Sequence, residues 1–258
     1  MFSEKNYTFA QLKRETMEAG NIYDFKVVPQ DVDFTLRSRL TAMCGNLLNV
    51  AGHDAHRNGF GTDAVMRDNN SWVLSRMAIE FDYMPKQYDE YKIRTWIVDS
   101  GRIISVRNFV ITNGEGEPLG RATSQWCMIN LSTRRPSDLT PVLESCRQYI
   151  FDEPAPCEAP RKLGAVETET AVEHRIVYSD IDFNRHVNTL RYIEMMVDAL
   201  PVEVVAEQHK IRLDLHFVKE SRYGQSLTIG YRCEEGKWLF EIKDNDGAVI
   251  CRASFEVR

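Results

Sequence analysis

Residues 180–200 read DIDFNRHVNTLRYIEMMVDAL and residues 31–52 read DVDFTLRSRLTAMCGNLLNVAG, two stretches that share a D-x-D-F opening and then an apolar pattern of helical period. In the later stretch Val187, Leu190, Ile193, Val197 and Leu200 recur at spacings of three and four, the mark of one buried helical face, and Pro201 ends the run. The earlier stretch predicts a helix from about Leu36 to Ala51. Two further matches follow in the same order. IEFDYMPKQYDEYKIRT from Ile79 aligns with LDLHFVKESRYGQSLTI from Leu213, and NGEGEPLGRATSQW from Asn113 aligns with NDGAVICRASFEV from Asn245. The offsets are 149, 134 and about 131, so the first copy carries roughly 15 extra residues around GHDAHRNGFGTDAVMRDNNSW. Each match alone is weak, but three in one order indicate an internal duplication.

Strand-like segments follow each helix: KIRTWIV, SVRNFVI and RATSQWCMIN in the first copy, and IRLDLHF, QSLTIGYRC, KWLFEIK and VICRASFEV in the second. Turn sequences such as DNDG and EEG join them. One helix followed by antiparallel strands, twice, is an α+β plan in which each long helix buries its apolar face on a sheet. The expected organisation is residues 1–150 as a first domain, 151–168 as a linker containing Pro154, Pro156 and Pro160, and 169–258 as a second domain.

The chain has 258 residues, 43% of them hydrophobic, which suffices for a buried core. A net charge of −6 argues against sequence-independent nucleic-acid binding, and an acidic protein partner would have to meet a local basic patch. The N-terminal MFSEKNYTFAQLKRE lacks the apolar run of a signal peptide, and nowhere do about 18 apolar residues run unbroken. A cytoplasmic protein without a membrane span is expected. Six cysteines stand singly with no CxxC pair, as expected for reduced thiols. His53 and His56 have no evident third ligand, so no metal and no cofactor is expected.

NNSWVLSRMAIEFDYMP, RATSQWCMINLSTRRP, DIDFNRHVNTLRYI and HFVKES together resemble the acyl-acyl-carrier-protein thioesterases of plants and bacteria, over nearly the whole chain. The resemblance implies two tandem hotdog domains, each a long helix wrapped by an antiparallel sheet. It also implies hydrolysis of fatty acyl groups from the phosphopantetheine arm of acyl carrier protein, with Asp182, Asn184, His186 and Glu220 as functional residues. Ser221 stands where the family often has cysteine, which excludes a cysteine nucleophile there and favours activated water. Met195 and Asp198 replace a common Trp and Glu.

Thioester hydrolysis needs an activated water and a polariser for the carbonyl oxygen, while a thiol of pKa near 8.5 leaves with little help. Alternation of Asp182, Asn184 and His186 in an extended stretch would set their side chains on one side. The helix start offers unpaired N–H groups, so the backbone of Val187 and Asn188 is the expected oxyanion site. Glu220 and His186 would deprotonate water, Asn184 would orient water or His186, and Asp182 would brace the loop. Whether Asp182 is itself the base stays open. In the first copy Asp33 matches Asp182, but Thr35, Arg37 and Lys86 stand against Asn184, His186 and Glu220, so the chemistry is expected in the second copy and the acyl-chain pocket in the first. Trp72 is a candidate substrate contact or a core residue; Arg134 and Arg135 would meet the carrier protein or solubilise a loop. Two other functions remain: an acyl-CoA thioesterase of the same fold, and a non-catalytic acyl-binding module. Hotdog modules work in pairs, so monomer and homodimer are both compatible with a tandem chain.

Overall fold

The computed structural model describes residues 20–98, 101–206 and 210–258. The N-terminal stretch read above as untargeted lies outside them. The first copy runs β1 (Asn21–Lys26), a 3-10 turn (Pro29–Asp31), α1 (Leu40–Arg57), α2 (Thr62–Val65), β2 (Asn70–Phe81), β3 (Glu90–Val98), β4 (Ser105–Asn113), β5 (Pro118–Asn130) and α3 (Thr140–Ser145). The second repeats it as β6 (Thr170–Arg175), a 3-10 turn (Tyr178–Asp180), α4 (Thr189–Asp198), α5 (Val202–Ala206), β7 (Ile211–Phe217), β8 (Ser226–Glu234), β9 (Lys237–Asp244) and β10 (Val249–Val257).

All ten strands form one antiparallel sheet in the order β1-β3-β4-β5-β2-β7-β10-β9-β8-β6. The order is a palindrome of the two copies, and β2 pairs with β7 at the seam. Residues Leu40, Met43, Leu47, Val50 and Ala51 of α1 and Tyr192, Ile193 and Met196 of α4 are buried in one core with Ile79, Phe81, Leu213 and Leu215 of the seam strands. The helices touch at Gly45, where an added Cβ would lie 3.3 Å from Leu190 Cδ2. These features match an α+β chain of two hotdog units sharing a sheet.

Backbone hydrogen bonds correct the alignment of the middle segment. Val27 N donates to Asp89 O as Ile176 N donates to Gln225 O, and Ser38 N donates to Pro85 O as Val187 N donates to Ser221 O. From Asp89 to Gln225 and from Pro85 to Ser221 the offset is 136, not 134. The counterpart of Glu220 is therefore Met84, and Lys86 answers to Arg222. Alternating strands look alike under a two-residue slip, which keeps every side chain on its own face, so sequence periodicity alone cannot detect it.

The helix expected from Leu36 begins at Leu40 and runs to Arg57. Leu36 instead sits in a turn at φ +59°, exposed, and its counterpart Arg185 adopts φ +63°. In both copies the second aspartate of D-x-D-F folds the chain back: Asp33 N donates to Arg37 O and Asp182 N to His186 O. The short edge strands β1 and β6 have no counterpart in the sequence reading. β6 is exposed along nearly all its length and shows no alternation to find.

Residues 151–169 contain no helix or strand, yet they are not a loose tether. This segment lies against the side of the sheet that carries Arg212, Asp214 and Glu80. Arg212 is fully buried, with Nε 2.8 Å from Asp214 Oδ2 and Nη1 2.7 Å from Glu80 Oε1. The strap completes the cluster: Arg161 N donates to Asp214 Oδ1 at 3.0 Å, and Arg212 Nη2 reaches the carbonyls of Glu158 and Ala159. Burial pushes the Glu80 carboxyl up, but Arg212 and Arg121 outweigh it and hold it below its ordinary value.

Candidate active site

The loop between Ile181 and α4 is a tight turn rather than an extended stretch, because the Asp182 carboxylate closes it. Asp182 Oδ1 accepts from Asn184 N at 2.8 Å and His186 N at 3.1 Å. This commits Asp182 to bracing the loop, a role Asp33 repeats by accepting from Thr35 N at 2.7 Å and Thr35 Oγ1 at 2.6 Å.

The turn turns the half-buried His186 ring towards the loop after β7. Its Nε2 lies 3.2 Å from Glu220 Oε2, the imidazole side chain being 16% and the carboxylate 31% exposed. The same Oε2 is paired with the guanidinium of Arg134, which arrives from the loop after β5 in the first copy. His186, Glu220 and Arg134 thus form a row of side chains drawn from both copies. Asn184 is half-buried beside them, and its side chain makes no hydrogen bond to His186 or Glu220. Arg135, Arg185 and Arg222 are exposed around the row. Arg222 pairs through its backbone with His186.

In the first copy the corresponding place holds no carboxylate. Arg37 Nη1 donates to Met84 O at 3.0 Å and its guanidinium stacks 4.6 Å from the centroid of Tyr83. The contrast between copies survives the corrected register, and with Met84 opposite Glu220 it becomes one of apolar against acidic.

The oxyanion expectation is corrected. Val187 N donates to Ser221 O at 2.9 Å and Asn188 N donates to Asp180 O at 2.8 Å, so both N–H groups are consumed in pinning the loop. Asn188 instead serves as the helix cap, its Oδ1 accepting from Leu190 N at 2.9 Å. Arg191 N uses Asn188 O. Among the described residues the N–H of Thr189, first residue of α4, is the donor in that turn left without an acceptor in the protein.

Trp72 is placed in packing. Its indole N–H donates to Phe60 O at 2.8 Å, and its ring bridges the small clusters around Phe60 and Val65 that dock the first copy's insert. Ser221 is fully buried, and its Oγ has no hydrogen-bond partner among the described residues. It faces the buried Tyr192, whose phenol burial pushes up to about 12. Cys251, in the same patch, is buried and likewise pushed up to about 12. Among the described residues no histidine side chain is hydrogen-bonded to Ser221 or Cys251, so neither is paired with a base that would make it a nucleophile.

A cavity of about 640 Å³ opens between the first-copy turn and the second-copy helix. Its lining includes Asp33, Phe34 and Met84 from one side and Met195, Leu200 and Ile229 from the other. His186, Glu220 and Arg134 do not line it. It belongs mostly to the second copy, not the first. Its wall includes Asp180, whose carboxylate is held by Val177 N, His174 and Arg191 at 2.8–3.0 Å. Burial pushes Asp180 up, but those partners outweigh it and keep it low.

The family models for the N-terminal and C-terminal domains of acyl-ACP thioesterases match residues 21–147 and 164–258. The chain belongs to the acyl-ACP thioesterase family. An acyl-ACP thioesterase from Bacteroides thetaiotaomicron is 36% identical, with a TM-score of 0.83 over 92% of this chain and 97% of that one. A 12:0-ACP thioesterase from Umbellularia californica shares the fold at 23% identity, with a TM-score of 0.82 over 92% of this chain and 96% of that one. A chloroplastic palmitoyl-acyl carrier protein thioesterase from Arabidopsis thaliana is 31% identical over 192 residues, 69% of this chain and 46% of that protein. The chain spans less than half the length of the first curated relatives it matches. Within this thioesterase family, the fold and the two-domain match agree with the duplication read from D-x-D-F. Arg134 is the site residue whose place the sequence left open; the signal was its position in STRRP, one of the motifs carrying the resemblance.

Proposed function

We propose that the chain hydrolyses fatty acyl-[acyl-carrier-protein] thioesters to free fatty acid and carrier protein, by water activated at the His186–Glu220 pair. The observation that carries this is the contact of 3.2 Å between His186 Nε2 and Glu220 Oε2 at the start of α4, in a chain of this family. Glu220 and His186 take a proton from water as its oxygen attacks the thioester carbon. The tetrahedral intermediate collapses with loss of the pantetheine thiolate, which takes up the proton. A thiol of pKa near 8.5 needs no strong acid.

The oxyanion of that intermediate needs a fixed donor, and the free N–H of Thr189 at the positive end of α4 is the one available. Proline is tolerated at the first helical position and Asn188 is already extended at φ −60°, ψ 137°, so Thr189→Pro removes this donor while α4 persists. The expected result is a fall in kcat of about a hundredfold with unchanged circular dichroism.

An acidic carrier protein finds complementary charge beside the His186–Glu220 pair despite the net charge of −6. Arg185 and Arg222 are exposed, have no side-chain ion pair among the described residues, and flank the exposed rings of Phe183 and Tyr223. Arg185→Glu with Arg222→Glu is expected to lower kcat/KM on acyl-carrier protein about tenfold or more at low salt, and to leave a small acyl-pantetheine thioester unaffected. Equal loss on both substrates would remove these arginines from carrier recognition. A cytoplasmic location belongs to the same proposal. No helix among the described residues is long and apolar enough to cross a membrane.

A further inference from the structure

Resting on that reading of the site, we infer that Arg134 is a positioning residue for Glu220, so that the first copy supplies part of the machinery although it holds no acid-base pair of its own. Glu220 lies on the loop after β7, next to the exposed Lys219 and Arg222, and nothing on its own loop fixes its carboxylate. Lys219 is engaged elsewhere, its Nζ 3.0 Å from Asp244 Oδ2. The same oxygen of Glu220 meets both His186 and Arg134. Arg134 therefore determines where the oxygen stands relative to His186 Nε2.

The loop bearing Arg134 is built to hold it still. Asn130 Oδ1 accepts from Ser132 N at 3.1 Å and Thr133 N at 3.0 Å, Arg134 N donates to Asn130 O at 2.8 Å, and Asn130 N donates to Arg135 O at 2.9 Å. Asn69 ties the loop to the start of β2: its carbonyl accepts from Leu131 N and its Nδ2 lies 2.8 Å from Ser132 Oγ. Arg134 itself is at φ +57°, a left-handed conformation that costs energy in a non-glycine residue and persists because these bonds impose it. A surface arginine recruited only for solubility needs no such scaffold. The counterpart of Glu220 in the first copy is Met84, whose carbonyl is taken by Arg37, so the scaffold serves one site and not two.

A guanidinium placed by a rigid loop converts a mobile glutamate into a base aimed at one point, and displacement of such a group by about 1 Å costs on the order of a hundredfold in rate. Arg134→Ala is expected to lower kcat ten- to a hundredfold on both acyl-carrier protein and a small acyl-pantetheine thioester, with KM for the carrier within about threefold of wild type and an unchanged melting temperature. Arg134→Lys should recover part of the rate, and free guanidinium ion should restore activity severalfold to Arg134→Ala but not to His186→Ala. In a Glu220→Gln background Arg134→Ala should add nothing, since the group it positions is gone. A rise in KM for the carrier with kcat unchanged would make Arg134 a docking cation and overturn the inference. A fall in melting temperature without guanidinium rescue would make its role structural and overturn it as well. If Glu220→Gln is inactive while Arg134→Ala keeps wild-type kcat, the inference alone fails; if Glu220→Gln keeps wild-type kcat, the reading of the site fails with it.

Discussion

Glu220→Gln and His186→Ala are each expected to lower kcat for acyl-carrier-protein hydrolysis by at least a hundredfold in folded protein, while Ser221→Ala stays within about threefold of wild type. The asymmetry follows from contacts. Glu220 is the carboxylate at the α4 start that touches His186, and Gln keeps its shape while losing its basicity. His186 ends its side chain on that oxygen, so no other acceptor replaces Glu220 if it is removed. Ser221 is fully buried and its Oγ meets no base among the described residues. A serine nucleophile would need His186 within hydrogen-bond reach, and His186 is turned to Glu220. Steady-state rates with matched melting temperatures check all three substitutions. An inactive Ser221→Ala with wild-type stability would return the mechanism to covalent catalysis.

Arg212→Met is expected to destabilise the chain by about 3–5 kcal/mol, because it takes the buried guanidinium from two buried carboxylates at once rather than removing one interaction. Arg212 and Asp214 are both fully inaccessible, and Glu80 across the β2–β7 seam is nearly so. The Asp214 carboxylate keeps Arg161, through its backbone N–H at 3.0 Å and its guanidinium at 3.6 Å, and Glu80 keeps Arg121 at 2.7 Å and Arg258 at 3.2 Å, but none of these replaces the two bonds from Arg212 Nε and Nη2 to Asp214 inside the sheet. Chemical denaturation with urea checks the value through the shift in midpoint. Glu80 and Asp180 are both held below their ordinary carboxylate values, so their contribution to stability is complete above the ordinary range and is lost as pH falls below it. The fold should therefore weaken on acidification from about pH 5 downward, measured by melting temperature across that range.

Much of this architecture is legible in the residues. Strands such as Ile211–Phe217 and Val249–Val257 coincide with the segments marked by alternation, because each places one face on a core. The D-x-D-F duplicate marks the same turn twice, and Asp33 and Asp182 close it with the same carboxylate-to-backbone bonds. What escaped has physical causes. Pairing register is invisible to a period of two, so sequence similarity sets Glu220 against Lys86 while hydrogen bonding sets it against Met84. Free N–H groups at a helix start are a general expectation, but which of them is spent depends on loop contacts, and Val187 and Asn188 turned out to be spent. The edge strand β6 is exposed along nearly all its length, while β1 alternates in burial over only six residues, too short a run to stand out. The pairing of Arg134 with Glu220 spans 86 residues and both copies, and no local pattern encodes such a meeting.

The second-copy site is proposed to release fatty acid from carrier protein. The most direct test is extraction and quantification of free fatty acid after incubation with acyl-carrier proteins of graded chain length, beside the same acyl groups on CoA. Release from carrier protein at a higher kcat/KM than from the matched CoA ester, over a defined band of chain lengths, is the predicted result. Turnover of the CoA esters at least as fast, or no fatty acid from any carrier-bound substrate, would contradict it.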